Sequence, residues 1–265
     1  MTMPQLTFEL PDTVVVTGAS SGLGHELCSL LVEAGVATVG VDLSAAQDDL
    51  AALAGYHHVA GDVAGEATWE TVVARLKSSG AKRFGLVTSA AILDVGTILD
   101  ATPAIISRAL NVNIVGTALA IKSLLPLMID AHDGAIVAVA SVNATLAEQQ
   151  LGIYNATKAA VRQLARTVAV DHSRSGVRVN VLSPGPMLAG LFKRHLESAI
   201  DSDKFLATRS ARQPGGRILE AREVAQAAMF LLSSGSTAVL GADLVADGGL
   251  TTSFDFRTGE EGASI

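Results

Sequence analysis

The sequence has one cysteine, no clustered basic charge and no metal-binding pattern of histidines. Cys28 has no second cysteine with which to form an internal disulfide, and its place in an apolar helical pattern predicts a small buried thiol. Lysine and arginine are scattered along a chain of formal net charge -7, which excludes a basic face for nucleic acid. His57 and His58 are adjacent, so they would point to opposite faces of a strand, and we predict no metal site.

Signals for a membrane and for a linker are missing as well. Residues 1–12 show no basic segment followed by an apolar run, and the most apolar stretch, 114–129, is interrupted by Lys122 and Pro126. We therefore predict a soluble, cytoplasmic protein with no membrane partner. No Gly/Ser/Pro-rich or single-sign stretch marks a linker, so residues 1–265 are predicted to form one domain. The polar segment 250–265 lacks periodicity, and the residues leave open whether it is mobile or packs on a neighbouring subunit.

Short β-branched runs alternate with helical patterns along the chain. This alternation predicts an α/β protein with a three-layer, doubly wound, Rossmann-type fold around a seven-stranded parallel sheet. The predicted strands are 13–17, 37–42, 57–60, 84–89, 135–141, 177–182 and 239–246. Ligands bind beyond the carboxyl ends of such strands, so the residues at those ends are the first candidates for function.

A glycine-rich loop follows the first predicted strand and precedes an apolar-periodic helix, in the sequence VVVTGASSGLGHEL. Gly18 permits a tight turn, and the absence of a side chain at Gly22 lets backbone amides approach a pyrophosphate. The helix that begins near Gly24 adds positive partial charge at its N-terminus. The loop therefore predicts a dinucleotide-binding site.

The choice of dinucleotide depends on Asp42, which ends the second predicted strand. Its carboxylate can accept hydrogen bonds from an adenosine ribose and would repel a 2′-phosphate. No lysine or arginine between Gly18 and Gly24, or directly after Asp42, compensates such a phosphate, so NAD is predicted over NADP. Asp62 is either an acceptor for the adenine amino group or an ordinary turn residue.

Ser141, Tyr154 and Lys158 form the candidate proton machinery. Tyr154 and Lys158 lie one helical turn apart on the same face, and Ser141 closes the fifth predicted strand. A neighbouring ammonium favours a phenolate, so we expect Lys158 to lower the pKa of Tyr154. Tyr154 would then take the hydroxyl proton during alcohol oxidation and return it during reduction, while Ser141 donates to the substrate oxygen. A lone Tyr-x-x-x-Lys is usually a surface pair, but the strand-end serine and the glycine loop favour the catalytic interpretation.

The motifs TGASSGLG, GDV, NVNIVGT, YNATK, VRVNVLSPG and GADLVADGG follow one another along nearly the whole chain. In this order they resemble the short-chain dehydrogenase/reductase family. The resemblance implies a catalytic tetrad of Asn113, Ser141, Tyr154 and Lys158, in which Asn113 holds a water against the lysine. It also implies that Lys158 bonds the nicotinamide ribose and that the chain forms a homotetramer.

The resemblance further implies that a lid, roughly residues 186–213, borders the nicotinamide and closes over substrate. The predicted cofactor-binding residues are Gly18, Ser21, Gly22, Leu23, Gly24, Asp42, Leu43, Asp62, Val63, Ser89, Ala90, Tyr154, Lys158, Pro184, Gly185 and Met187. Two departures concern this site: TSAA at 88–91 stands where many members have NNAG, and PGPMLAG at 184–190 lacks a threonine that often contacts the carboxamide.

Apolar side chains on the lid predict a secondary alcohol or ketone of moderate hydrophobicity as the small-molecule substrate. The predicted substrate contacts are Leu93, Ser141, Asn143, Tyr154, Leu188, Leu191 and Phe192. Lys193, Arg194 and His195 either meet an anionic group or form a solvated charged face. A non-catalytic dinucleotide sensor or scaffold, and an epimerase or dehydratase that retains its nicotinamide, are the alternatives to an NAD-dependent dehydrogenase.

Overall fold

A computed structural model describes residues 8–253, and within them seven strands form one parallel sheet. The strands are β1 (Thr13–Thr17), β2 (Ala37–Asp42), β3 (Tyr56–Ala60), β4 (Phe84–Thr88), β5 (Gly134–Val139), β6 (Val177–Pro184) and β7 (Asp243–Ala246). The α-helices are α1 (Gly22–Glu33), α2 (Asp48–Ala51), α3 (Glu66–Ser78), α4 (Pro103–Leu110), α5 (Gly116–Ala131), α6 (Gly152–His172), α7 (Gly190–Glu197), α8 (Ser202–Ala211) and α9 (Ala221–Leu232).

The strand order is β3-β2-β1-β4-β5-β6-β7, which confirms the predicted doubly wound, seven-stranded fold. The chain moves outward from β1 to β3 and then crosses back to β4, so the topological switch point lies between β1 and β4. At that point Thr17 pairs with Thr88, the last residues of their strands. This is the edge of the sheet at which doubly wound folds bind their ligands.

Helices cover both faces of the sheet, and each face has its own apolar core. One core joins α3, α5 and α6 to the sheet through residues such as Trp69, Met128 and Val161. The other joins α1 and α9 through Leu27, Cys28 and Leu231 among others. Burial on both faces explains the continuous apolar runs of the central strands. Cys28 is fully buried, as predicted, and burial raises the pKa of its thiol.

Two predicted strand ends were wrong. β5 ends at Val139, and Ser141 instead caps the short 3-10 helix Val142–Ala144. β7 begins at Asp243 rather than at residue 239. The preceding residues cannot pair regularly because Gly241 has a left-handed φ of 63 and because Asn180 bonds the carbonyl oxygen of Val239 and the amide of Ala242 through its side chain.

The helical run 103–131 is long and apolar enough to span a membrane by length and composition alone. In this fold α5 packs on the sheet, with Ala120, Leu124 and Met128 buried in the core beside β4 and β5. The predicted tail 250–265 lies outside the described residues after position 253.

Candidate active site

The carboxyl ends of the strands open into a cavity of about 1310 Å³. This volume exceeds the roughly 300–1,000 Å³ of sites for drug-sized ligands and suits a dinucleotide together with a small substrate. The glycine loop, the ends of β2 and β5, the start of α6 and the helices α7 and α8 all contribute to its wall. Every predicted cofactor-binding residue lines the cavity.

The glycine loop has the backbone that the sequence predicts for it. Gly18 and Gly22 have φ values of 72 and 59, a region that side chains disfavour. A Cβ at Gly18 would lie 2.9 Å from the Cα of Ala90, and a Cβ at Gly24 would lie 2.2 Å from the carbonyl oxygen of Gly18. α1 begins at Gly22 without a side-chain cap from Ser21 and without an acidic residue in its first turn. Its N-terminal amides therefore suit an anion such as pyrophosphate.

Asp42 connects the glycine loop to the end of β2. Its Oδ2 accepts a hydrogen bond from the Ser20 amide at 3.0 Å, and its Oδ1 accepts one from the Ser44 amide at 2.9 Å. Each carboxylate oxygen keeps a further lone pair for a ribose hydroxyl. Asp62 also lines the cavity, and its Oδ1 accepts from the Ala64 amide at 2.9 Å, so both interpretations of this residue stand.

The segment 88–91, TSAA in place of NNAG, connects the end of β4 to the end of β1 through hydrogen bonds. Ser89 Oγ donates to the carbonyl oxygen of Thr17 at 2.5 Å, and the amide of Ala90 donates to Thr17 Oγ1 at 3.0 Å. Thr88 Oγ1 is buried and has no hydrogen-bond partner within residues 8–253. Ser89 and Ala90 thus hold the end of β4 to the end of β1, and both remain on the cavity wall.

Ser141, Tyr154 and Lys158 converge on the cavity. The Ser141 hydroxyl lies close enough to the Tyr154 phenol to lower its pKa. Lys158 Nζ donates to the carbonyl oxygen of Val139 at 2.8 Å and lies 5.8 Å from the centre of the Tyr154 ring. The end of β5 and the first two turns of α6 thus assemble a hydroxyl, a phenol and an amine around one point.

The pKa values of this group differ from the sequence-based expectation. Burial raises the pKa of Tyr154 to about 12; the Ser141 hydroxyl opposes this rise and the charge of Glu148 adds to it. Burial also lowers the pKa of Lys158 to about 8. Desolvation therefore outweighs the expected effect of the ammonium on the phenol, because both groups lie in the same water-poor interior.

Asn113 does not line the cavity. It lies in a π-helical turn, Asn111–Val115, between α4 and α5, and its side chain is fully buried. The Oδ1 atom accepts from the Ile92 amide at 2.8 Å, and Nδ2 donates to the carbonyl oxygen of Ile92 and to Thr157 Oγ1. The side chain therefore fixes the segment after β4 and the start of α6, and it makes no hydrogen bond to Lys158 in the part of the chain that is described.

Most of the predicted substrate contacts lie on the cavity wall, namely Leu93, Asn143, Leu191 and Phe192. Leu188, also predicted to contact the substrate, is not among the residues that line the cavity. Met187 forms a bridge with Leu219, and the amide of Leu188 donates to the carbonyl oxygen of Leu219 at 2.8 Å. In this extended pair neighbouring side chains point to opposite sides, so Met187 lines the cavity and Leu188 does not.

The structure adds a polar cluster that the sequence reasoning missed. Glu148 accepts hydrogen bonds from Asn143 Nδ2 at 3.1 Å and from Arg209 Nη1 at 2.8 Å. Asn143 also donates to Asn155 Oδ1 at 3.1 Å. No sequence signal connects these positions, because Arg209 reaches the site only through the fold of α8. No cluster of three or more potential metal ligands occurs within residues 8–253.

The cavity fits a nicotinamide dinucleotide. The uncapped start of α1 suits the pyrophosphate, the carboxylate of Asp42 suits the adenosine ribose, and Lys158 is a buried donor at the other end of the same cavity. Proteins of similar sequence agree with this interpretation of the cavity. A family profile described as Enoyl-(Acyl carrier protein) reductase matches residues 18–251.

Individual relatives match over almost their full lengths. The cis-4-hydroxycyclohexanecarboxylate dehydrogenase of Sinomonas cyclohexanicum is 38% identical over 247 residues, which cover 89% of this chain and 95% of that protein. The 2-(S)-hydroxypropyl-CoM dehydrogenase 3 of Xanthobacter autotrophicus is 32% identical over 246 residues, covering 91% of this chain and 96% of its own.

The fold is similar to that of solved dehydrogenases. The ligand-free aldohexose dehydrogenase of Thermoplasma acidophilum superposes with a TM-score of 0.86 and 27% identity, covering 95% of this chain and 98% of that one. The profile match, the two relatives and the shared fold agree with the motifs and with the geometry of the cavity. The chain therefore belongs to the short-chain dehydrogenase/reductase family, whose members bind a nicotinamide dinucleotide.

Proposed function

We propose that this chain is an NAD-dependent dehydrogenase that interconverts a secondary alcohol and a ketone, with Tyr154 as the general acid and base. The observation that carries the proposal is the convergence of Ser141, Tyr154 and Lys158 on the cavity that also contains the glycine loop. A dinucleotide sensor or scaffold needs the loop but has no use for a phenol, a hydroxyl and a buried amine at one point.

The side chains divide the work at the substrate oxygen. A nicotinamide dinucleotide held by the glycine loop, Asp42 and Lys158 would supply the hydride acceptor for oxidation and the hydride donor for reduction. Tyr154 accepts the hydroxyl proton as the hydride leaves and returns it to the oxygen in the reverse direction. Ser141, which lines the same cavity as the phenol, donates to the substrate oxygen. At neutral pH the Lys158 side chain is mostly protonated, because its lowered pKa of about 8 still lies above 7. It therefore places a positive charge beside the Tyr154 ring.

Two observations support the proposed substrate class. Leu93, Leu191 and Phe192 give the wall near Tyr154 an apolar character that suits a hydrocarbon framework. The names of the two relatives give hydroxy compounds as their substrates. In one the hydroxyl group is on a cyclohexane ring, and in the other it is on a propyl chain. A hydroxyl on an alicyclic or short aliphatic framework is therefore the group on which we expect this chain to act.

NAD is proposed as the cofactor because Asp42 places a carboxylate at the ribose end of the cavity. A 2′-phosphate there would meet like charge, and the cavity-lining residues near Asp42, from Leu43 to Val63, include no lysine or arginine. We expect kcat/KM for NAD to exceed that for NADP by at least about tenfold, the equivalent of 1.4 kcal/mol. The measurement is initial rates with both cofactors at one alcohol concentration. Equal efficiency with the two cofactors would contradict the assignment.

Replacing Tyr154 tests the chemical role. We expect Tyr154→Phe to lower kcat by about 10²- to 10⁴-fold, the usual contribution of a positioned acid or base, and to leave NAD affinity nearly unchanged. Nicotinamide absorbance with a panel of secondary alcohols, and with NADH and the matching ketones, measures the first effect. Calorimetric titration with NAD measures the second. Product formation without any net change of absorbance would instead identify an epimerase or dehydratase.

A further inference from the structure

Positive charge exceeds negative charge at the lid side of the cavity. Arg194 of α7 and Arg209 of α8 both line this side. Glu148 is the one carboxylate among the described lining residues there, since the other two follow β2 and β3 across the sheet. The cavity is therefore acidic at the ribose end and basic at the substrate end.

Arg209 is held by one carboxylate and one aromatic ring. Its Nη1 donates to Glu148 Oε1 at 2.8 Å, and the guanidinium lies 5.1 Å from the centre of the Phe205 ring. A guanidinium has five N–H donors, and within residues 8–253 the bond to Glu148 is the one hydrogen bond that Arg209 donates from its side chain. A stacked and paired guanidinium loses little freedom when it binds a second anion through its other donors.

The same carboxylate connects Arg209 to the proton machinery. Glu148 Oε2 accepts a hydrogen bond from the side-chain Nδ2 of Asn143 at 3.1 Å. The backbone amide of Asn143 donates to Ser141 Oγ at 3.1 Å. Arg209 is thus positioned relative to Ser141 through a continuous chain of hydrogen bonds. An anion bound to Arg209 would therefore lie at a fixed distance from the substrate oxygen that Ser141 contacts.

A helix-stabilising role does not account for the arrangement. Arg209 lies in the last turn of α8, where any cation is favoured by the helix dipole. Arg194 likewise lies in the last turn of α7, but it also faces the same cavity and has no ion-pair partner among the residues that are described, and the helix dipole does not account for a shared cavity. Arginines from two helices of the lid therefore meet in one cavity, which a role in a single helix does not require.

We propose, on the basis of the dehydrogenase function above, that the substrate carries a carboxylate that binds to Arg209, with Arg194 adding electrostatic attraction. The substrate is then a hydroxy acid or oxo acid in which an apolar framework separates the anion from the reacting carbon. The framework packs on Leu191 and Phe192, and the carboxylate accepts hydrogen bonds from the guanidinium in a geometry that arginine favours.

The test compares 4-hydroxycyclohexanecarboxylate with its neutral primary amide. In the wild-type protein we expect kcat/KM to favour the acid by about 10- to 100-fold, as for one charge-assisted hydrogen-bonded pair, with most of the difference in KM. In Arg209→Gln the acid-to-amide ratio should fall to near one. Arg75→Gln removes the same charge from α3, outside the cavity, and should keep the wild-type ratio.

Binding of cyclohexanecarboxylate and cyclohexanecarboxamide to the NAD-saturated protein, measured by calorimetry, separates this inference from the proposed function. If the wild-type protein binds the acid preferentially and this preference disappears in Arg209→Gln, the carboxylate site is supported. If the protein also oxidises no alcohol, that result counts against the dehydrogenase function alone. Equal binding of acid and amide by the wild-type protein overturns the inference. An unchanged acid-to-amide ratio in Arg209→Gln together with weaker NAD binding also overturns it, because the arginine would then serve the cofactor.

Discussion

At the residue scale, the burial of Lys158 costs stability at a position that the proposed function requires. Its side chain is only 3% exposed, and burial lowers its pKa to about 8, well below the 10.5 of an exposed lysine. Between pH 8 and 10.5 the unfolded chain therefore binds more protons than the folded chain at this position. The free energy of unfolding rises with pH across that window, and below it the full cost of burying the ammonium remains.

We expect Lys158→Met to stabilise the fold at pH 7 while it abolishes turnover. The pKa difference corresponds to about 3 kcal/mol, and loss of the hydrogen bond to Val139 offsets part of it, leaving about 1 to 2 kcal/mol. Urea unfolding at pH 7 measures the gain, which should shrink as the pH is raised toward 10.5. Lys82→Met, which removes an exposed lysine, should change stability by less than about 0.5 kcal/mol. A clearly destabilised Lys158→Met protein at pH 7 would show that Lys158 is better compensated than its burial implies.

At the element scale, the start of α1 and the start of α7 depend on each other. A Cβ at Gly22 would lie 2.9 Å from the Cα of Gly190, the first residue of α7. The glycine loop therefore has two neighbours to accommodate, the pyrophosphate and the lid. This contact explains why Gly22 must lack a side chain even before a cofactor is considered.

We expect Gly22→Ala to weaken NAD binding by at least about tenfold, because the methyl group displaces either the loop or the lid. Gly35→Ala is the matched control, since Gly35 also has a left-handed φ, of 78, and a Cβ there would meet nothing within 4 Å. Both variants should lose a similar amount of stability, about 1 kcal/mol, from backbone strain. Thermal unfolding measures that loss, and calorimetric titration measures NAD affinity. Equal NAD binding by the two variants would argue against the contact between the loop and the lid.

At the scale of the whole molecule, an apolar groove between α5 and α6 suits a second copy of the chain. The groove has a volume of about 440 Å³ and is lined by residues of these two helices. Its lining is mainly aliphatic: Ala118, Ile121, Lys122, Leu125, Pro126, Ile129, Leu164, Val168 and His172. Contiguous apolar surface of this kind usually marks an interface between proteins.

We predict that the protein is a homotetramer of the 27.1 kDa chain, as the family resemblance implies. Light scattering at micromolar concentration should give four chain masses, and Leu164→Glu should lower the measured mass because it places a charge in the groove. Thr71→Glu, an exposed position on α3, should leave the mass unchanged. A monomeric wild-type protein would refute the tetramer.

Local pattern was enough to predict the elements and to bring together the main candidate residues of the site. The β-branched runs predicted all seven strands, since burial on both faces leaves a continuous apolar signature. Gly18, Gly22 and Gly24 predicted the loop because their conformation depends on a few neighbouring residues. Tyr154 and Lys158 could be paired because helical spacing alone places them on one face.

Only the tertiary structure decided what surrounds those groups. The pKa of Tyr154 rises because the fold buries it, and spacing contains no information about desolvation. The side chain of Asn113 binds Ile92 and Thr157, partners supplied by two other parts of the chain. The pair between Glu148 and Arg209 exists because α8 brings Arg209 to the loop that precedes α6. The sequence by itself therefore determined the elements and the residues that act within one turn or one loop, whereas long-range packing decided which charges share the cavity.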